Sequence, residues 1–230
     1  MGVKLDFAWL SDPLLLYALA LSVLLFAGIF ALIFTIIIKH GSRLKSEKIQ
    51  IRFTVLLNEA LQHRINSQSI QSELAQINRL IATNKRDVAY GWVRLLERLP
   101  KADRAAYIAI AQQTNMHHCI PHCLNDEGMA EKCIALEAIG LSDFKNYISD
   151  AKKYTERNGI APYACIALSR LTGKDAIPQV IQSYKKGFLS TTQALAAIVE
   201  IPRDQILIYE QSTNKNPIPA ELARYLDLNK

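Results

Sequence analysis

The sequence predicts an all-α protein, with one N-terminal transmembrane helix followed by a short row of repeated helix pairs. Three observations carry that prediction. An uncharged apolar run lies near the start, apolar residues recur at helical spacing after it, and a segment near the middle repeats itself.

The apolar run extends from Leu14 to Ile38 and reads LLLYALALSVLLFAGIFALIFTIII. At about 1.5 Å per residue it is long enough to cross the roughly 30 Å hydrocarbon core of a bilayer with a modest tilt. A helix buried in a soluble core is rarely apolar on every face over such a length. A cleaved signal peptide needs an apolar stretch of only about 7–15 residues and a small-residue cleavage site. This run is longer and passes straight into Ile36, Ile37, Ile38, Lys39 and His40, so an uncleaved single-pass anchor is expected.

The flanks give the anchor a direction. Lys4, Asp6 and Asp12 precede it, while Lys39, Arg43, Lys45 and Lys48 follow it against Glu47. Basic flanks stay on the cytoplasmic side. Residues 1–13 are therefore expected to be a short non-cytoplasmic N-terminus, 14–38 the transmembrane helix, and the remainder a cytoplasmic domain on the plasma (inner) membrane. The four cysteines lack the dense spacing of a secreted disulfide scaffold, which agrees with a reducing compartment.

Residues 39–101 read as juxtamembrane basic helices. Between Lys39 and Arg104 stand 13 Lys and Arg against 6 Asp and Glu, whereas from Ala105 onward the counts are 13 and 13. Contact with the membrane surface is expected of Lys39, Arg43, Lys45, Lys48 and Arg52, at about 1 kcal/mol per basic residue near anionic lipid. A topology signal combined with an ordinary solvated helix face accounts for the same excess, and both readings stay open. Nucleic acid is not expected as a partner, because no basic motif interleaved with aromatics is present.

Three apolar stripes at helical spacing follow: Ile49, Phe53, Leu56, Leu57, Ala60 and Leu61; Ile70, Leu74, Ile77 and Ile81; Val88, Trp92, Leu95, Leu96 and Leu99. Breaks are expected at Ser67 to Ser69, Asn84, Pro100, Asn125 to Gly128, Gly140, Gly173, Gly187 and Pro202. Between His40 and Ser46 one glycine and no proline occur, so a weakened joint and a true linker are both compatible with the sequence.

The repeat lies in 102–230. Cys133-Ile134-Ala135-Leu136 recurs 32 positions on as Cys165-Ile166-Ala167-Leu168, with Asp143 opposite Asp175, Ile148 opposite Val180 and Lys153 opposite Lys185. The segment from Asn158 to Gly187 combines an Ala-rich stretch from Ala161 to Leu171, Gly173, Asp175, Ala176-Ile177-Pro178, and an amphipathic stretch from Gln179 to Tyr184. It resembles a HEAT-type or armadillo-like repeat. Fainter copies cover Ala105 to Asn125, with Ile120-Pro121 in the Ile177-Pro178 place, and Thr191 to Gln211. The resemblance implies a short HEAT-like α-solenoid in which neighbouring helix pairs bury each other's apolar faces, closed by a C-terminal capping helix that includes Leu222, Tyr225 and Leu226.

One cluster invites a site. Met116 to Leu124 reads MHHCIPHCL, and His117, His118, Cys119, His122 and Cys123 include reasonable ligands for a borderline metal such as zinc. The repeat alignment counts against it, since Cys119 takes the place of Ala176 and Cys123 that of Val180. Packing explains both thiols, as it explains the equivalent Cys133 and Cys165. No metal or other cofactor is expected, and His117, His118, Cys119 and Cys123 are the residues to test. No nucleophile elbow, phosphate-binding glycine loop or metalloprotease motif is present. Glu59, Glu73 and Glu137 read as solvated helix-face acids.

The expected role is accordingly non-enzymatic: a membrane-tethered scaffold or adaptor binding a membrane-embedded or membrane-associated protein partner along its concave face. A subunit of a secretion or polysaccharide-synthesis complex would fit, although no residue points to either. A metal- or ligand-sensing regulatory subunit built on the His117–Cys123 cluster is the alternative, and a HEAT-like lyase or hydrolase a third reading. Homo-oligomerisation stays open.

Overall fold

Helix α1 (Pro13–Ile65) runs for 53 residues and contains the whole apolar run. It passes through Gly41 without a break, so the segment between His40 and Ser46 is helical. The computed structural model describes residues 13–126, 128–212 and 217–226. The expected non-cytoplasmic segment 1–13 lies, apart from Pro13, outside the described residues.

The chain divides into two compact units, Met1–Lys48 and Ile49–Lys230. In the first, every residue from Tyr17 to Ile38 is exposed. The helix is apolar all round, so it has no wet face and dry face to distinguish. The aliphatic hydroxyls of the apolar run are satisfied locally: Ser22 donates to the Ala18 carbonyl and Thr35 to that of Ala31, each at 2.8 Å. Lys39, Arg43, Lys45 and Lys48 are exposed, and Arg43 pairs with Glu47 one turn on at 3.0 Å.

The second unit contains the end of α1 and eleven further helices among the described residues: α2 (Gln71–Thr83), α3 (Lys85–Arg98), α4 (Lys101–Ala111), α5 (Cys119–Asn125), α6 (Met129–Leu141), α7 (Ile148–Lys153), α8 (Ala161–Thr172), α9 (Ile177–Lys185), α10 (Thr191–Val199), α11 (Arg203–Ser212) and α12 (Ala220–Tyr225). No strand occurs among the described residues. The three apolar stripes face inward: Phe53, Leu57 and Ala60, then Leu74, Ile77 and Ile81, then Val88, Trp92 and Leu96 are all buried.

The packing is serial. Helix α3 lies against α6, α6 against α8, α8 against α10, and α10 against α12, while α5, α7 and α9 each pack on the next member of that row. The 32-residue sequence period reappears in the elements: α6 starts at Met129 and α8 at Ala161, while α7 ends at Lys153 and α9 at Lys185. Proline stands in the first turn of α8 and of α9, where its missing N–H costs nothing. Ser190 and Gln193 form a reciprocal capping box that starts α10.

Gly140 does not break a helix. It lies inside α6, and a Cβ there would stand 2.8 Å from the Ala167 Cα of α8. The glycine lets two backbones approach, and the helix ends one residue later at Leu141, with Ser142 as its cap. Ser142 is buried and accepts a 2.7 Å hydrogen bond from the Trp92 indole, joining α3 to the end of α6. Gly173 does mark the expected turn, with a φ of +57° that a side chain would strain.

The buried residues form two clusters. One runs from Phe53 to Ala176 and the other from Ala161 to Ala223, so they interleave at α8. Cys165, Ala161 and Ile177 belong to the second, and Ala164 and Leu168 to the first. Leu222 is fully buried and Leu226 packs at the edge, as a closing helix requires, whereas Tyr225 is exposed.

Candidate functional site

The MHHCIPHCL segment folds as a single 3₁₀ turn, Asn115–His118, leading into α5. Thr114 starts it by accepting the Met116 N–H at 3.2 Å. This geometry separates the candidate ligands. Cys119 and Cys123 are buried, while His117, His118 and His122 are exposed. Burial pushes the Cys119 thiol up to about 12 and the Cys123 thiol up to about 11, far from the thiolate that a metal needs. The His117 and His118 rings lie on the outside with centroids 4.1 Å apart, tilted 42° to each other. Among the described residues no group of three or more His, Cys, Asp or Glu is placed to hold a metal ion.

Cys133 and Cys165 are likewise buried and free, and burial raises both thiols, that of Cys165 to about 11. Of the acids read as solvated helix faces, Glu59 is exposed and the other two are not. Glu73 is buried and faces His63 Nδ1 at 3.2 Å. Glu137 is half-buried, and its carboxyl is pushed up to about 7, first by burial and then by the hydrogen bond and charge of Glu97. The Arg170 charge opposes that shift. Serial packing brings α3, α6 and α8 together, and a helix-surface acid thereby acquires a neighbour 40 positions earlier in the chain.

Among the described residues of the second unit, two grooves stand out. The larger side-chain set surrounds a groove of about 460 Å³ at the ends of α6 and α8, with Lys101, Arg104, Lys145 and Arg170 beside Asp143 and Glu200. Arg170 donates to Glu200 at 2.8 Å, and this bond, helped by the charges of Lys101 and Arg104, holds the Glu200 carboxyl below its usual value. The Gln205 side chain accepts the Lys174 N–H at 3.2 Å across the mouth. Two helix C-termini, with their partial negative charge, open here, and Lys145 faces Asp143 while Arg104 donates to the Leu99 carbonyl. The lining is polar and carries four cations against two carboxylates. The second groove, about 610 Å³, lies between α1 and α2 and is lined by Arg52 and Arg79 among neutral residues.

Neither groove was legible in the sequence. Arg52 was expected at a membrane surface and is exposed, but its partner Arg79 carried no signal beyond its place on α2. No protein-family model, curated protein or solved structure matches the chain.

Proposed function

We propose that the protein is a single-pass membrane scaffold: residues 14–38 span the plasma (inner) membrane, the N-terminus faces out, and a HEAT-like α-solenoid on the cytoplasmic side binds a protein partner. One observation carries the reading. The apolar part of α1 has a mean hydropathy of 2.9 over its most apolar stretch, and none of that stretch is buried in the protein. In water such a helix would expose about 25 cal/mol for every Å² of apolar surface. In a bilayer the same surface is solvated, every backbone group is satisfied within the helix, and the hydroxyls of Ser22 and Thr35 are capped by their own carbonyls.

The direction follows from the basic flank, and Lys39, Arg43, Lys45, Lys48 and Arg52 serve as contacts to anionic head groups. Serial packing of α3, α6, α8 and α10 supports the solenoid reading, in which each pair contacts only its neighbours and leaves an extended surface for a partner. Tethering raises the local concentration for a partner in the same membrane, so modest intrinsic affinity suffices.

Three measurements test this. The full chain should stay with the membrane pellet through alkaline extraction. Protease added to sealed vesicles should digest the region after Lys48 only when the cytoplasmic face is outermost. Cross-linking in native membranes should recover one dominant partner protein; recovery of the chain only with itself would end the hetero-complex reading, and alkaline release would end the anchor.

A further inference from the structure

Helix α2 carries two stripes. Leu74, Ile77 and Ile81 are buried. The neighbouring positions Ser72, Gln76, Arg79 and Thr83 recur at the same helical period and are exposed. With Arg52 from α1 they line the groove of about 610 Å³, in which the two arginines are the ionisable residues and no carboxylate takes part.

Three other arginines of the chain are matched by a carboxylate. Arg43, Arg86 and Arg170 each hold a carboxylate within 3.0 Å. Arg52 and Arg79 have no ion-pair partner among the described residues. The acid nearest in sequence to the groove, Glu73, is buried and turned to His63. Two guanidinium groups lining one groove without a carboxylate give it a positive potential that attracts an anion. A guanidinium presents a planar fork of donors that matches a phosphate or phosphodiester, and the Gln76 amide adds a neutral donor beside it. The other groove differs in having carboxylates of its own: Glu200 holds Arg170 and Asp143 faces Lys145, whereas none lines the Arg52–Arg79 groove.

We infer that the Arg52–Arg79 groove is a phosphate-binding site, which takes the phosphate of a lipid head group or of a free phosphorylated molecule. Ile51 and Val55 are exposed on α1 next to Arg52, giving apolar surface beside the charged pair, as an amphiphile would use. The site extends the head-group contact proposed for Arg52 and does not require the partner-binding reading.

The full chain, in a phosphate-free non-ionic detergent, is titrated with inorganic phosphate and separately with short-chain phosphatidylglycerol, each followed by its phosphorus NMR line. The parent binds at least one probe, and R52Q/R79Q weakens that binding by about tenfold or more, as loss of a charge-assisted pair implies. R98Q, which removes an exposed arginine elsewhere on α3, leaves it unchanged. Binding of both probes assigns the site to phosphate from either source, and binding of the lipid alone assigns it to a head group. Should the double variant melt earlier than the parent, R52Q and R79Q carry the test singly, each expected to lose about threefold or more. Failure of the parent to bind either probe, or variants that bind like the parent, or an equal loss in R98Q, overturns the site while leaving the anchor and the partner-binding reading untouched.

Discussion

At the scale of single residues, two buried polar groups matter most. The Trp92 indole is fully buried and its only described acceptor is Ser142, so Trp92→Phe leaves a buried hydroxyl without its donor. The expected cost is about 1–3 kcal/mol, and Ser142→Ala added to Trp92→Phe should recover part of it. Thermal melts of the four chains in one detergent read this directly. Glu137 gives a pH signature. Its carboxyl sits near 7 in the folded protein against a reference of 4.5, so the retained proton contributes stability that is fully present below about 4.5 and is lost as pH rises through about 7. The melting temperature should therefore fall between pH 5 and pH 8, and Glu137→Gln should flatten that slope. A slope of the opposite sign would mean that Glu137 is neither desolvated by burial nor faced by Glu97.

At the scale of helices, glycine serves opposite ends in different places. Gly140 is required by the close approach of α6 to α8, and Gly140→Ala should cost about 1–3 kcal/mol by forcing the two apart. Gly41 has nothing within 4 Å of where a Cβ would stand. Gly41→Ala should stabilise α1 locally by about 1 kcal/mol, measurable as slower hydrogen exchange between His40 and Ser46. The sequence marks both residues with the same letter, and that explains why Gly140 reads as a break. The apolar stripes were legible because a period of 3.6 needs only local information: Phe53, Leu57, Ile77, Trp92 and Leu96 were all placed inward by spacing alone. Close approach was not legible, since the second backbone belongs to Ala167.

At the scale of the whole molecule, the repeat was readable as a pattern, while what it brings together was not. Cys133 and Cys165 were matched by their neighbours in sequence and both prove buried. The grooves, in contrast, draw on residues as far apart as Lys101 and Gln205, and Glu137 gained its neighbour only through stacking. The two interleaved cores make a further expectation. Ile198→Ala, in the second cluster, should cost about 2–5 kcal/mol there. Under nearest-neighbour packing, amides of α10 and α12 should lose exchange protection first, with those of α3 still protected. Uniform loss across both clusters would show instead a single cooperative unit.

The burial of all four thiols has a practical side. With Cys119, Cys123 and Cys165 raised to about 11 or 12 and Cys133 shifted the same way, the folded chain offers electrophiles essentially no thiolate at neutral pH. A maleimide meets a blank background. A cysteine introduced at an exposed position such as Lys39 or Asn58 would then be the sole labelled atom in the protein, so the side of the bilayer on which each stretch resides can be mapped without first stripping the native sequence of its sulfur.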